Sequence, residues 1–392
     1  MRLVIRNLIA LCAATTMLSG CQQAPKAEVA NQQPVFSPGE TVDFSFQSSE
    51  QRLSGIFDVP PDGAAKALII IIHSYGQTDV RNWVSYAAER EHFNAMGIAT
   101  ALWDKPGLGQ SEGTFDINQS VHESAEEVLD AAAYLRKINA PGSQRIGLCG
   151  GSRAGWIAPI ALSKEQQLEF WMSLSGTTAE DNFTYLLLSN LPYEGSSADE
   201  VELFQSEWEA GCEIFRTQGS YRDYLGATEN LRANAYIKDK RGDCPSRRQL
   251  ETGQMRCKDG SCPNTDDLMC DYVWIEDFDV MLSSLDIDVL ALFGDKDLNI
   301  DWRKTKRLYE TTIGRNESAT LTTHVFEDAD HALNKTRTGS LKEMETRERR
   351  EKAEDYLDVQ TQWLNEQVLA SVEKSSMDCM MRVNGSRVHS IT

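Results

Sequence analysis

Residues 67–72 read Ala-Leu-Ile-Ile-Ile-Ile, a run without a polar position. Alternate side chains of a strand point to opposite faces, so such a run is stable only where both faces are covered, as in a parallel sheet layered by helices. The chain around it keeps that rhythm. A helical stretch over 83–96 precedes a second apolar strand, Ile98–Trp103, and Val121–Lys137 carries apolar residues at helical spacing. Residues 145–149 and Leu168–Leu174 read as strands with a helix over 152–162 between them. Strand and helix alternating in this way predict βαβ units and a mainly parallel sheet flanked by helices. Upstream, residues 41–59 alternate apolar and polar positions around Ser48-Ser49-Glu50-Gln51, which predicts an antiparallel hairpin leading into the domain.

The rhythm stops over 177–279, a stretch of about a hundred residues that is acidic in its first half and shows no clear strand pattern. It is read as an inserted, cysteine-containing cap. Alternation resumes with a strand over 288–293, a helix over 301–311, a strand over 319–326 and a charged helix over 341–370. The expected layout is therefore a core of 39–176 and 280–370, the cap between them, and a poorly ordered tail over 371–392.

Chemistry enters at Gly150-Gly151-Ser152-Arg153-Ala154-Gly155, which lies between a strand and a helix. A tight strand-to-helix turn with small neighbours around a serine is a nucleophile elbow, because crowding excludes larger side chains and lifts the hydroxyl above the sheet. The G-x-S-x-G pattern is met except for Ala154 at its last position. A serine hydroxyl needs a base, and the base an orienting acid. Of the six histidines, His389 lies in the tail, His92 and His122 in helical stretches upstream, and His324 within a strand. Of the remaining His73 and His331, the latter follows the strand over 319–326 in a loop beyond its C-terminal end, where α/β sheets place their sites, so His331 is the expected base. The acid belongs in the loop after the preceding strand, where Asp295, Asp297 and Asp301 compete.

With these residues assembled, the chain resembles the α/β-hydrolase superfamily, and within it bacterial secreted or lipoprotein esterases and serine aminopeptidase-like hydrolases with an inserted cap. The resemblance rests on His73-Ser74-Tyr75-Gly76, Asp104-Lys105-Pro106-Gly107-Leu108-Gly109-Gln110-Ser111, the elbow, Gly294 to Asp297, and Asp330-His331, in the family's order. It implies an α/β-hydrolase fold and selects Asp297, which falls at the family's G-x-x-D. It also implies an oxyanion hole made by the backbone N–H groups of Tyr75 and Arg153, a structural role for His73, and a mainly structural role for the 104–111 turn. The chain departs from the family in carrying Ser74 where glycine is usual. The Arg153 side chain is expected to be structural or solvated rather than a partner of a substrate carboxylate. No cofactor is implied.

The N-terminus addresses location. Arg2 and Arg6 precede an apolar run from Leu8 to Met17 that is too short to cross a bilayer, which is a signal-peptide layout. The run ends in Leu18-Ser19-Gly20-Cys21, which resembles a bacterial lipobox with Cys21 as the lipidated residue. Residues 21–38, polar and proline-containing, read as a tether. These features predict cleavage after residue 20 and an exported lipoprotein anchored to a membrane, facing the periplasm or exterior. Loss of two basic residues and no acid would take the formal charge from −20 to −22. Charge of that sign excludes nucleic acid as a partner, because phosphate backbones need a basic surface.

The nine cysteines fit export. Cys12 leaves with the signal, Cys21 takes lipid and Cys149 ends a buried strand. Cys212, Cys244, Cys257, Cys262, Cys270 and Cys379 remain, an even set expected to form disulfides. A zinc site is disfavoured, since no Cys-x-x-Cys pair exists and no histidine falls in the cap. The function expected is hydrolysis of a small carboxylic ester through an acyl-enzyme. A serine aminopeptidase or amidase on the same triad is the alternative, and a catalytically silent binding lipoprotein the rival from another class.

Overall fold

The computed structural model describes residues 33–81, 86–117, 119–179, 183–217, 219–241 and 275–370. The expected signal peptide, Cys21, most of the tether and the tail lie outside these residues, as do Cys12, Cys244, Cys257, Cys262, Cys270 and Cys379.

The strands are β1 (Thr41–Ser48), β2 (Gln51–Asp58), β3 (Ala67–Ile72), β4 (Ile98–Trp103), β5 (Ile146–Gly151), β6 (Leu168–Leu174), β7 (Asp288–Gly294) and β8 (Thr320–Phe326). They form one sheet in the order β1-β2-β4-β3-β5-β6-β7-β8. β1 and β2 pair antiparallel from Thr41 against Asp58 to Ser48 against Gln51, and β2 pairs antiparallel with β4. Every pairing from β4 to β8 is parallel.

The alternation of side chains along β3 divides the core in two. Leu68, Ile70 and Ile72 pack with Val128, Ala131 and Leu135 of α2 (Val121–Lys137) and Ile157 and Ile160 of α3 (Ala154–Lys164). Ile69 and Ile71 face the other way, against Phe93 of α1 (Ala87–Ala95) and Leu364 and Val368 near the C-terminal end of the described chain. Fully burying a side chain of this size contributes roughly 1.5–3 kcal/mol, and β3 does so on both faces. Helix α2 starts at a capping box, with the Ser120 hydroxyl and the Glu123 carboxylate each accepting a backbone N–H of the first turn.

Between β6 and β7 the chain runs through α4 (Phe183–Asn190), α5 (Ala198–Arg216), α6 (Tyr221–Ala227), α7 (Glu229–Ala233), α8 (Ala235–Arg241) and α9 (Phe278–Ser283). Leu187, Leu191, Phe204, Trp208, Cys212, Leu231 and Ile237 make a hydrophobic cluster of their own there. α10 (Trp302–Thr311) then connects β7 to β8.

The charged run after β8 corrects the sequence reading. A single helix over 341–370 is expected, whereas the chain forms α11 (Leu341–Thr346), an irregular stretch, and α12 (Tyr356–Trp363) continuing into a wider π turn over Leu364–Leu369. Residues 351–353 instead pair with the loop after β8. Lys335 N–H donates to Glu351 O at 2.7 Å and Ala353 N–H to Leu333 O at 2.9 Å. Asp355, in the left-handed region at φ 59°, turns the chain back into helix.

Candidate active site

β5 delivers Ser152 directly from its last residue, Gly151, and α3 begins two residues later. Ser152 has φ 54°, a conformation that only a surrounding structure can impose on a non-glycine residue. Its N–H donates to Leu174 O at 3.0 Å, and its carbonyl accepts from Gly155 N–H at 2.7 Å. The small neighbours are explained by what they touch. A Cβ on Gly150 would lie 2.6 Å from the Ala154 Cβ and 2.7 Å from Ile72 O, and one on Gly155 would lie 2.7 Å from the Thr177 nitrogen. Ala154 therefore fits where the motif has glycine because Gly150, facing it, has no Cβ.

Two strands along the sheet, the loops after β7 and β8 bring Asp297 and His331 together. His331 Nδ1 lies 2.8 Å from Asp297 Oδ2. The other carboxylate oxygen, Oδ1, accepts the N–H groups of Asn299 and Ile300 at 2.8 and 3.0 Å. Because the carboxylate accepts at Nδ1, that nitrogen carries the hydrogen and Nε2 keeps its lone pair. Burial pushes the His331 imidazole down, but the carboxylates of Asp297 and Asp330 outweigh it and the net pKa is raised. Asp330 is buried as well; it accepts from Ala332 N–H at 2.9 Å and Asn334 N–H at 3.0 Å, and pairs with Arg347 Nη1 at 2.8 Å. The two competing acids are occupied elsewhere. Asp295 accepts from Ala329 N–H at 3.3 Å, and Asp301 caps α10 through Lys304 N–H at 3.2 Å.

His73 is buried, with Nε2 hydrogen-bonded to Trp103 O. Burial, helped by the nearby Lys105 cation, pushes its pKa down to about 3, so it stays neutral and holds β3 to β4. Ser74, the departure from the usual glycine, donates its hydroxyl to Gly151 O at 2.9 Å and so ties this loop to the elbow. Tyr75 is 44% exposed. The Arg153 side chain is turned inward: Nη1 donates to Ser124 Oγ at 3.1 Å, Nη2 to Gln119 O, and the guanidinium lies 5.6 Å from the Tyr75 ring centre. Its backbone caps α3, where N–H groups have no intrahelical partner.

Sequence reasoning missed several contributors. Tyr86 accepts from Gly151 N–H at 3.2 Å, and Tyr185 of α4 donates to the Asp297 carbonyl at 3.3 Å. Arg347, the residue that ends α11, pairs with Asp330. None of these lies in a motif, and their one sequence signal is proximity in chain to elements whose packing has to be known first.

No family model matches the chain. An acyltransferase of Aspergillus calidoustus, drtE, is 25% identical over 133 residues, which are 30% of this chain and 43% of that protein. The chain thus matches less than half the length of that relative. Among solved structures it is similar to the Pyrococcus furiosus esterase Pf2001, at 13% identity and a TM-score of 0.46, over 84% of this chain and 92% of the other. It is also similar to a proline iminopeptidase of Mycobacterium smegmatis, at 14% identity and a TM-score of 0.46, over 84% of this chain and 99% of the other. An antiparallel β1-β2 hairpin leading into the parallel run β4-β3-β5-β6-β7-β8, a left-handed serine between β5 and α3, and helices on both faces of the sheet give this chain the α/β-hydrolase fold.

Proposed function

We propose that this protein is a serine hydrolase acting on small carboxylic esters, with Ser152 as nucleophile, His331 as general base and Asp297 as the acid that orients it. The observation that carries the reading is the pair His331–Asp297, hydrogen-bonded at 2.8 Å, beyond the carboxyl ends of the same set of parallel strands as a serine held at φ 54°. As Ser152 Oγ bonds to the ester carbonyl carbon, its proton passes to His331 Nε2, and Asp297 stabilises the resulting imidazolium. The carbonyl oxygen becomes an oxyanion against the N–H groups of Tyr75 and Arg153, each such donor stabilising it by about 2.7–4 kcal/mol. Collapse expels the alcohol, which takes the proton from His331, and water repeats the sequence on the acyl-enzyme.

The proposal includes location. Export, lipidation of Cys21 and disulfides among Cys212, Cys244, Cys257, Cys262, Cys270 and Cys379 are the reading that Leu18-Ser19-Gly20-Cys21 and the even cysteine set support. Among the described residues no helix is long and apolar enough to cross a membrane, and Cys149 is a buried free thiol.

Replacing Ser152 with alanine is expected to abolish hydrolysis of p-nitrophenyl butyrate and labelling by a fluorophosphonate while leaving the thermal melt cooperative. Retained turnover in the variant would remove Ser152 from the mechanism. A wild-type protein that is never labelled would instead favour the binding lipoprotein. Aminoacyl nitroanilides run beside the esters separate the peptidase alternative, which predicts the larger kcat/KM on the anilides.

A further inference from the structure

We propose that Lys105 is a positioning residue for the oxyanion hole, its ammonium gripping the loop carbonyls of Ser74 and Gly76 so that the Tyr75 N–H is turned to the opposite side and held there. The inference rests on the serine-hydrolase reading above. Lys105 Nζ donates to Ser74 O at 2.6 Å and to Gly76 O at 2.7 Å, the two carbonyls that bracket Tyr75. The Ser74 carbonyl and the Tyr75 N–H belong to one peptide unit, and in a planar trans peptide they point in opposite directions. Fixing the oxygen therefore fixes the direction of the hydrogen. A cation on the carbonyl oxygen also draws electron density across the amide, which makes the N–H a stronger donor to a developing negative charge.

The placement is not that of an ordinary surface lysine. Lys105 is 7% exposed, and among the described residues no carboxylate forms an ion pair with it. Leaving a cation in such a place costs free energy that a solvated lysine does not meet. Burial and the Arg153 guanidinium push its pKa down to about 7, opposed by the Glu127 carboxylate. The backbone that carries it is rigid, since the neighbouring Asp104 carboxylate accepts Val80 N–H at 2.7 Å and Gln110 N–H at 2.8 Å and pairs with Arg81 at 2.7 Å. The loop it grips carries Tyr75, whose side chain is 44% exposed, and Gly76, at φ 94° with no atom within 4 Å of where a Cβ would lie.

The test compares wild type, Lys105→Met and Lys105→Arg on p-nitrophenyl butyrate, with thermal melts alongside. Losing the effect of one oxyanion donor is expected to lower kcat of Lys105→Met by about 100-fold, with KM within about twofold of wild type. Lys105→Arg, whose guanidinium can also fork onto two carbonyls, is expected to return to within about tenfold of wild type. A Met variant whose kcat stays within about threefold of wild type, or whose loss lies in KM, overturns the proposal, and so does a folded Arg variant as slow as the Met variant. Should the Met variant not melt cooperatively, Lys105→Gln, which keeps a donor without the charge, gives the same reading: reduced kcat supports the role and unchanged kcat overturns it. Wild type that neither hydrolyses esters nor takes the fluorophosphonate overturns the hydrolase reading and this one with it; labelled, active wild type beside an unimpaired Met variant overturns the role of Lys105 alone.

Discussion

Ser152 is held where a non-glycine residue loses on the order of 1–3 kcal/mol. The cost is met by backbone bonds on both sides and by the absence of side chains at Gly150 and Gly155, so the residue types around it are consequences of the turn rather than of the chemistry. The same scale governs the pH response. With His331 as the proposed base, only its neutral form can accept the Ser152 proton. Its pKa is raised, because two carboxylates outweigh burial, so the protonated form persists to higher pH than for an ordinary imidazole at 6.5. kcat/KM for an ester is therefore expected to rise with pH along an acid limb whose midpoint lies above 6.5, measured in a pH series on the wild-type protein. A midpoint at or below that value would mean that the carboxylates do not govern the imidazole as the geometry indicates.

At the scale of elements, the decisive event is the interruption of the charged run after β8. The segment between α11 and α12 gives up helix to pair its backbone with the 333–335 loop, and Arg347 reaches Asp330 beside the candidate base. Side-chain exposure is 11% for Arg347 and zero for Asp330, so the pair is nearly dry. Removing one partner of such a pair leaves a buried charge uncompensated, at a cost of roughly 3–5 kcal/mol. Arg347→Met is expected to lose that much in urea unfolding, and Asp330→Asn in the same chain to recover part of it. A loss below about 1 kcal/mol would show that the pair is no more than a surface bridge in effect. Helix α4 works at this scale too: Tyr185 and Asn190 bond the carbonyls of Asp297 and Leu298, so the insertion touches the acid loop directly.

At the scale of the molecule, a two-faced core fixes the sheet and a separate apolar cluster organises the insertion, while the proposed location rests on the N-terminal motif. If Cys21 carries lipid, the protein made in a bacterial host is expected to enter the detergent phase of a phase-separating detergent and to take up labelled palmitate. Cys21→Ser is expected to move it to the aqueous phase without loss of ester hydrolysis. Wild type found in the aqueous phase and unlabelled would end the lipoprotein reading. Most of the architecture was legible from residues alone, because a β3 without polar positions, the alternation of strand and helix and the small residues about Ser152 are local or periodic patterns. Asp297 needed the family resemblance to be separated from Asp295 and Asp301; the hydrogen bond to His331 distinguishes it in space. The break in the charged helix, the grip of Lys105 on the Ser74–Tyr75 peptide and the pairing of Arg347 with Asp330 were decided by tertiary structure alone. Each joins residues distant in the chain through a backbone or polar side-chain bond, and a bond whose partners meet only after folding leaves no period or spacing in the sequence.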